Sequence, residues 1–365
     1  MILHRYFARK FFTIFLGILT VFFLLLSLID LVEQVRRFAS DGVSFSDLVG
    51  LTLLNAPQSL YDILPLVMIL STITLFLGLA RSSELVVARA TGRSAFTTLI
   101  APVFVALTIG VVAVAVFNPL VAATSKRYET LYESYRNGGA TVLSVSSEGL
   151  WLRQGDESGQ TVIRAARANV DGSVLFNVTF ISNSTDGGPF RRIQGDKATL
   201  VKDGWKIEGA KTWSLLPDQN PEASTTITPT LFLPTTLTLD SIRDGFGKPS
   251  NISIWKLPDY IQQLETSGFS ARRHTVWLQM ELARPIFLLA MVLVASAFTM
   301  QHTRFGRTGI SVLSAILLGF TLYYIRNFSQ ILGENGQIPI TLAAWAPPVA
   351  SILLALGILL HMEDG

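Results

Sequence analysis

The sequence predicts a membrane α-helical bundle of six transmembrane helices interrupted by one inserted all-β domain. Three observations carry that expectation. Half of the 365 residues are apolar and only 15% are charged, with a mean hydropathy of +0.45, a balance that suits lipid as the main solvent. Six apolar runs each approach the roughly 20 residues a helix needs to cross a bilayer. Between the third and fourth runs the apolar period changes from helical to two, the mark of half-buried strands.

Span 1 is expected over about Phe11 to Ile29. Arg5, Arg9 and Lys10 precede it as they would a secretory leader. The run exceeds the about 7 to 15 residues of a leader's apolar core, so the span should stay uncleaved. Its helix should continue outward, because Asp30, Glu33, Gln34 and Arg37 fall at i, i+3, i+4 and i+7 on one stripe. Span 2 is expected over about Leu60 to Ala80 with Pro57 and Pro65 at its entry. Span 3 covers about Leu99 to Val121, kinked near Asn118 and Pro119. Beyond it, Tyr128, Tyr132 and Tyr135 recur on one helical face among Lys126, Arg127, Glu129 and Arg136.

Residues 1–137 therefore form the first membrane part and 138–250 the β domain, where Val174, Phe176, Val178 and Phe180 are expected on one strand face. Turn signals such as Asp171-Gly172 and Asp203-Gly204 cut the block into short strands, which favours a sandwich or jelly roll. Residues 251–365 add a linker helix near Pro258 to Thr266, then spans 4 (about Thr275 to Met300), 5 (about Ile310 to Ser329) and 6 (about Ala343 to His361). Arg5, Arg9 and Lys10, then Arg81, Arg89 and Arg93, then Arg304 and Arg307 flank the spans on one side, whereas the opposite short loops hold only Arg36 and Arg37. By the positive-inside tendency both termini are cytoplasmic and the β domain is outside.

Several classes drop out. A net charge of +3 without basic runs among aromatics gives no case for nucleic acid. There is no cysteine, hence no disulfide or thiolate site. Phosphate-cradling, zinc-hydrolase and nucleophile-elbow motifs are lacking, so no catalytic residue, metal or cofactor is expected. No ionisable residue lies at mid-bilayer in spans 2, 3 or 6, which disfavours an ion-coupled transporter. A membrane-anchored scaffold would leave the next feature without a purpose.

That feature is the charged stretch Arg81 to Arg93 between spans 2 and 3. It reads as a short helix with Ser82 as N-cap, Glu84 in the first turn, Arg89 in the last and Gly92 as the stop. With Leu85, Val86 and Ala88 on its other face, it is expected to dock a cytoplasmic partner. At the opposite membrane face, Arg36, Arg37, Lys126, Arg127, Arg272, Arg273 and Arg326 break the positive-inside tendency, and Arg36, Arg37, Lys126, Arg127 and Arg326, with Arg136, are the six basic candidates for a binding role. Local ion pairs such as Glu33 with Arg37 explain each singly. The same sign at the outer ends of three helices favours an anionic ligand for the group.

Four stretches together resemble one family: Ser83-Glu-Leu-Val-Val-Ala-Arg-Ala-Thr-Gly92, Val32-Glu-Gln-Val-Arg-Arg37, Gly149-Leu-Trp-Leu152 and Tyr260 to Gly268. The chain is similar over nearly its whole length to the lipopolysaccharide export permeases LptF and LptG, more so to the LptG branch. The resemblance implies a multi-pass protein of the bacterial inner membrane with a periplasmic β-jelly roll. The implied partners are an LptF-type paralogue, a dimer of the LptB-type ATPase, a single-span LptC-type protein and lipopolysaccharide. It also implies that residues 82–91 form the coupling helix seated on the ATPase, with Arg81, Glu84, Leu85, Ala88 and Arg89 as contacts. Arg36 and Arg37 then match positions that hold lipid A phosphates. The chain departs from the family pattern in carrying Asp30 where a basic residue is expected, and Glu129 and Tyr132 near two expected arginines. Lys126, Arg127 and Arg136 are the candidates to replace them.

Overall fold

Six helices in the computed structural model are long and apolar enough to cross a membrane. It describes residues 2–39, 42–85, 95–136, 142–143, 150–156, 159–169, 172–184, 188–202, 204–216, 220–235, 248–266, 270–300 and 308–363. The chain divides into two compact units, one of Met1–Tyr132, Ser253–Leu257 and Arg272–Gly365, the other of Glu133–Ile252 and Pro258–Ala271.

In the first unit α1 (Ile2–Arg37) is a single helix, continuous through the polar stripe as expected. Helix α2 (Phe45–Arg81) begins well before the two prolines thought to mark its entry: Ser44 caps it, its side chain accepting from the Asp47 N–H, and both prolines lie inside. Helices α3 (Ala95–Val112) and α4 (Asn118–Arg136) join through a π-helical turn, Ala113–Phe117. After the second unit come α6 (Arg272–Thr299), α7 (Thr308–Glu334) and α8 (Ile340–Glu363), with α5 (Leu257–Thr266) ahead of them. Helix α6 is central, with 78% of its most apolar window buried, against 6% for α1.

Proline explains much of how these helices join. A helical proline has no N–H for the carbonyl four residues earlier, and in lipid an unsatisfied carbonyl costs several kcal/mol. Three such carbonyls find side chains elsewhere in the fold. Pro65 frees the Tyr61 carbonyl, which accepts from Arg284 Nη1 at 3.3 Å. Pro119 frees that of Ala115, which accepts from Trp255 Nε1 at 3.0 Å. Pro347 frees that of Ala343, which accepts from Ser329 Oγ at 3.0 Å. Each break in a helix thus becomes a bond between segments. Gly110 serves the same packing, since a side chain there would lie 2.6 Å from the Pro285 Cα of α6.

Among the described residues the second unit holds a seven-stranded antiparallel sheet of β1 (Val142–Leu143), β2 (Leu150–Asp156), β3 (Gly159–Asn169), β4 (Val174–Ser184), β5 (Pro189–Val201), β6 (Gly204–Ser214) and β7 (Thr226–Pro234), in the order β1-β3-β4-β5-β6-β7 with β2 also on β3. Neighbours in sequence are neighbours in space from β2 onward, so the described strands form a meander. Leu152, Ile163, Leu175, Val178, Phe180, Ile193, Trp205 and Ile207 form its buried side. One expectation fails within β4 (Val174–Ser184): Val174 and Phe176 do not share a face with Val178 and Phe180. Asn177 takes a left-handed φ of 50°, and Gly209, in the middle of β6 (Gly204–Ser214), takes 65°. Pairing between β5 (Pro189–Val201) and β6 skips Gly195 and Asp196 on one strand and Gly209 and Ala210 on the other. Such irregularities shift the alternation by one residue and bend the strands. Leu175 replaces Phe176 in the core, and Val178 and Phe180 are fully buried there, which makes them packing residues.

Candidate functional site

The polar stripe at the C-terminal end of α1 is fixed residue by residue. Asp30 Oδ1 accepts from Asn55 of α2 at 3.0 Å and from Gln34 at 3.5 Å. Gln34, 2% exposed, donates to the Tyr128 hydroxyl of α4 at 2.8 Å. Arg37 donates to the Tyr132 hydroxyl, and Tyr128 stacks on Tyr132 with centroids 5.7 Å apart. The tyrosine face expected on α4 is therefore the face that receives α1. Asp30 acts as the acceptor that ties α1 to α2.

Glu33 bridges both candidate arginines, to Arg36 at 2.9 Å and Arg37 at 3.0 Å. These pairs lie at the surface, with 78% of the Arg36 side chain exposed. Exposed ion pairs are worth about 0.2 to 1 kcal/mol, so a more highly charged anion can displace Glu33 at small cost. Lys126 and Arg127 lie on the same turn-and-a-half of α4 as Tyr128 and Tyr132. Four of the six basic candidates thus belong to two helix ends that touch. Arg136 belongs to the second unit. Arg326 of α7 is apart from them: it is 7% exposed, its guanidinium lies 5.4 Å from the Phe287 ring centroid, and its Nη2 has no hydrogen-bond partner among the described residues.

Inside the bundle lies a cluster that the sequence reading missed. Glu281 of α6 is fully buried and accepts from Arg284 Nη2 at 2.6 Å, from Arg284 Nε at 3.2 Å, from Asn118 Nδ2 at 3.4 Å and from the Tyr61 hydroxyl. Asn118 Oδ1 accepts the Ile254 N–H at 2.9 Å, and Arg284 lies 3.9 Å over the Tyr61 ring. Three helices, α2, α4 and α6, meet at one carboxylate, and Asn118 ties the Ile254 segment to them. The available signal was Glu-x-x-Arg within an apolar run, an i, i+3 pair that lipid would not tolerate exposed.

At the end of α2, Ser82 is not the N-cap that was expected. It closes α2, its hydroxyl 3.0 Å from the Gly78 carbonyl, and it also bonds Glu84 Oε1 at 2.8 Å. Ser83 then takes a left-handed φ of 57°, reversing the chain. Glu84 pairs within the chain, with Lys10 Nζ of α1 at 3.0 and 3.2 Å. Burial pushes the Glu84 carboxyl up, but hydrogen bonds from Lys10, Ser82 and Tyr6 and the Lys10 charge outweigh it and leave the pKa lowered. Leu85, expected on the docking face, is 5% exposed and part of the bundle core. Arg81 ends α2 exposed. Ala88, Arg89 and the rest of the expected docking helix lie outside the described residues. No three His, Asp or Glu side chains converge on a metal-sized site among the described residues.

Comparison with known proteins gives one family. The model of the lipopolysaccharide export system permease LptF/LptG family matches residues 5–361. The lipopolysaccharide export system permease protein LptG of Escherichia coli K12 is 25% identical over 362 residues, 97% of this chain and 94% of that protein. Its counterpart of the same name in Haemophilus influenzae is 23% identical over 343 residues, 93% and 92% of the two chains.

Proposed function

The chain belongs to the LptF/LptG family of lipopolysaccharide export permeases, and we propose that it is an LptG-type permease subunit of an ABC-type exporter in the bacterial inner membrane. It takes lipopolysaccharide from the outer leaflet and passes it to its own periplasmic β domain. The observation that carries the ligand assignment is the exposed Arg36 and Arg37 at the joined ends of α1 and α4, with Lys126 and Arg127 alongside. Phosphates there would exchange with Glu33. Arginine suits this role because its planar fork bonds a phosphate at two points.

Hydrolysis of ATP belongs to a partner, an LptB-type dimer, docked through Arg81, Glu84 and the segment that follows. An LptF-type paralogue completes the membrane dimer, and an LptC-type protein receives the lipid. Both termini are cytoplasmic in this reading. Mild detergent extraction of the tagged chain should bring down an ATPase and a second six-span subunit at fixed stoichiometry. Recovery of the chain alone, from membranes that contain both, would reject the assembly.

A further inference from the structure

The ion pair between Lys10 and Glu84 joins α1 to the segment that follows α2. Glu84 opens the segment expected to meet the ATPase. Lys10 is a residue of α1, 26 positions below Arg36, or about 39 Å at 1.5 Å per residue. Its ammonium bonds both Glu84 oxygens and also the Tyr6 hydroxyl at 3.0 Å, lying 5.1 Å over the Tyr6 ring. The contact is half-shielded: the Lys10 and Glu84 side chains are 28% and 33% exposed.

Helix α1 is suited to carry a displacement. It contains no proline, the usual cause of a sharp kink, whereas α2, α3, α6 and α8 each contain at least one. The bundle grips its apolar window lightly. Specific polar contacts hold it at its two ends: Lys10 with Glu84 at the foot, Gln34 with Tyr128 and Arg37 with Tyr132 at the head. We propose that Lys10 is a positioning residue for transport, clamping the ATPase-docking segment to the foot of α1 so that movement of that segment reaches the lipid-binding arginines at its head.

This inference rests on the docking reading above, and one experiment separates the two. In the purified complex reconstituted in proteoliposomes, Lys10→Gln and Lys10→Arg are compared with the natural chain. Three quantities are read: ATPase retained, ATP hydrolysed, and lipopolysaccharide released per ATP. Lys10→Gln should keep the ATPase at full stoichiometry and release about fivefold less lipid per ATP, the low end of usual coupling energies. Lys10→Arg should restore most of that loss. Unchanged release per ATP in Lys10→Gln overturns the inference, as does loss of the ATPase from that variant, which would make Lys10 a docking contact. Failure of the natural chain to retain an ATPase rejects the docking reading instead.

Discussion

Glu33 with Arg36 and Arg37, at the end of α1, and Glu281 with Arg284, inside α6, have the same chemistry and opposite surroundings. Water screens the first set, and each acid–base contact there contributes little to folding. Protein surrounds the second on every side, and the Glu281 carboxylate is filled by Arg284, Tyr61 and Asn118. Removing one partner of a buried pair strands the other charge, at about 3 to 5 kcal/mol, although the intact pair adds little over an apolar replacement. Exchangeable charges can hold a ligand. Saturated, buried ones hold helices together.

The largest effect that would break this contrast concerns Glu281. Glu281→Ala should lower stability in detergent by about 3 to 5 kcal/mol, and Glu281→Leu with Arg284→Met should recover most of it. Tryptophan fluorescence during thermal melting measures both. A single variant melting with the natural protein would move the pair out of the load-holding class.

Next comes Arg36→Ala with Arg37→Ala. Stability should fall by no more than about 1 kcal/mol, while photo-crosslinking to lipopolysaccharide from a probe in α1 should drop severalfold. Equal crosslinking would leave Glu33 and Tyr132 as the partners those arginines serve. Arg326→Met sharpens the same point, since its buried guanidinium is apart from that group and crosslinking should persist.

At the proline-freed carbonyls, Ser329→Ala should cost about 1 to 3 kcal/mol, because it leaves the buried Ala343 carbonyl without its donor, read again from thermal melting. The smallest is a pH effect at Glu222 in the second unit, whose carboxylate is bonded by Trp213 Nε1 at 3.0 Å and Lys211 at 3.4 Å. The Trp213 bond first, then the Lys211 charge, hold its pKa below the usual carboxyl value. A depressed pKa stabilises the fold above the ordinary carboxyl value, and the gain is lost as pH falls through the depressed one. Glu222→Gln should therefore exchange amide hydrogens slightly faster than the natural chain in β6 near neutrality and equally in acid.

Spans and strands were legible because hydropathy and apolar period are local properties. The pairing of Glu33 with Arg37 was legible for the same reason, being one helical turn. What escaped needed a second element. Ser82 and Glu84 look like a helix start by spacing, but whether a serine opens one helix or closes another depends on the chain reversal at Ser83. Pro65 and Pro119 read as boundaries because their donors, Arg284 and Trp255, are remote in sequence. The face of β4 was misjudged at a single residue, Asn177, because a strand's alternation survives only while every φ is negative.

The π turn Ala113–Phe117 has a genetic corollary. Such a turn carries one residue more than an α turn needs, so its five residues sweep nearly the same angle as four in an α-helix. Deleting one residue there should close the turn as α and leave Asn118, Tyr128 and Tyr132 on the faces they now occupy. A one-codon deletion within the regular helix α1 has no such slack: everything after it would arrive rotated by about 100°, one residue's share of an α turn, parting Gln34 from Tyr128 and Arg37 from Tyr132. Of the two deletions, the one in the π turn should be far better tolerated.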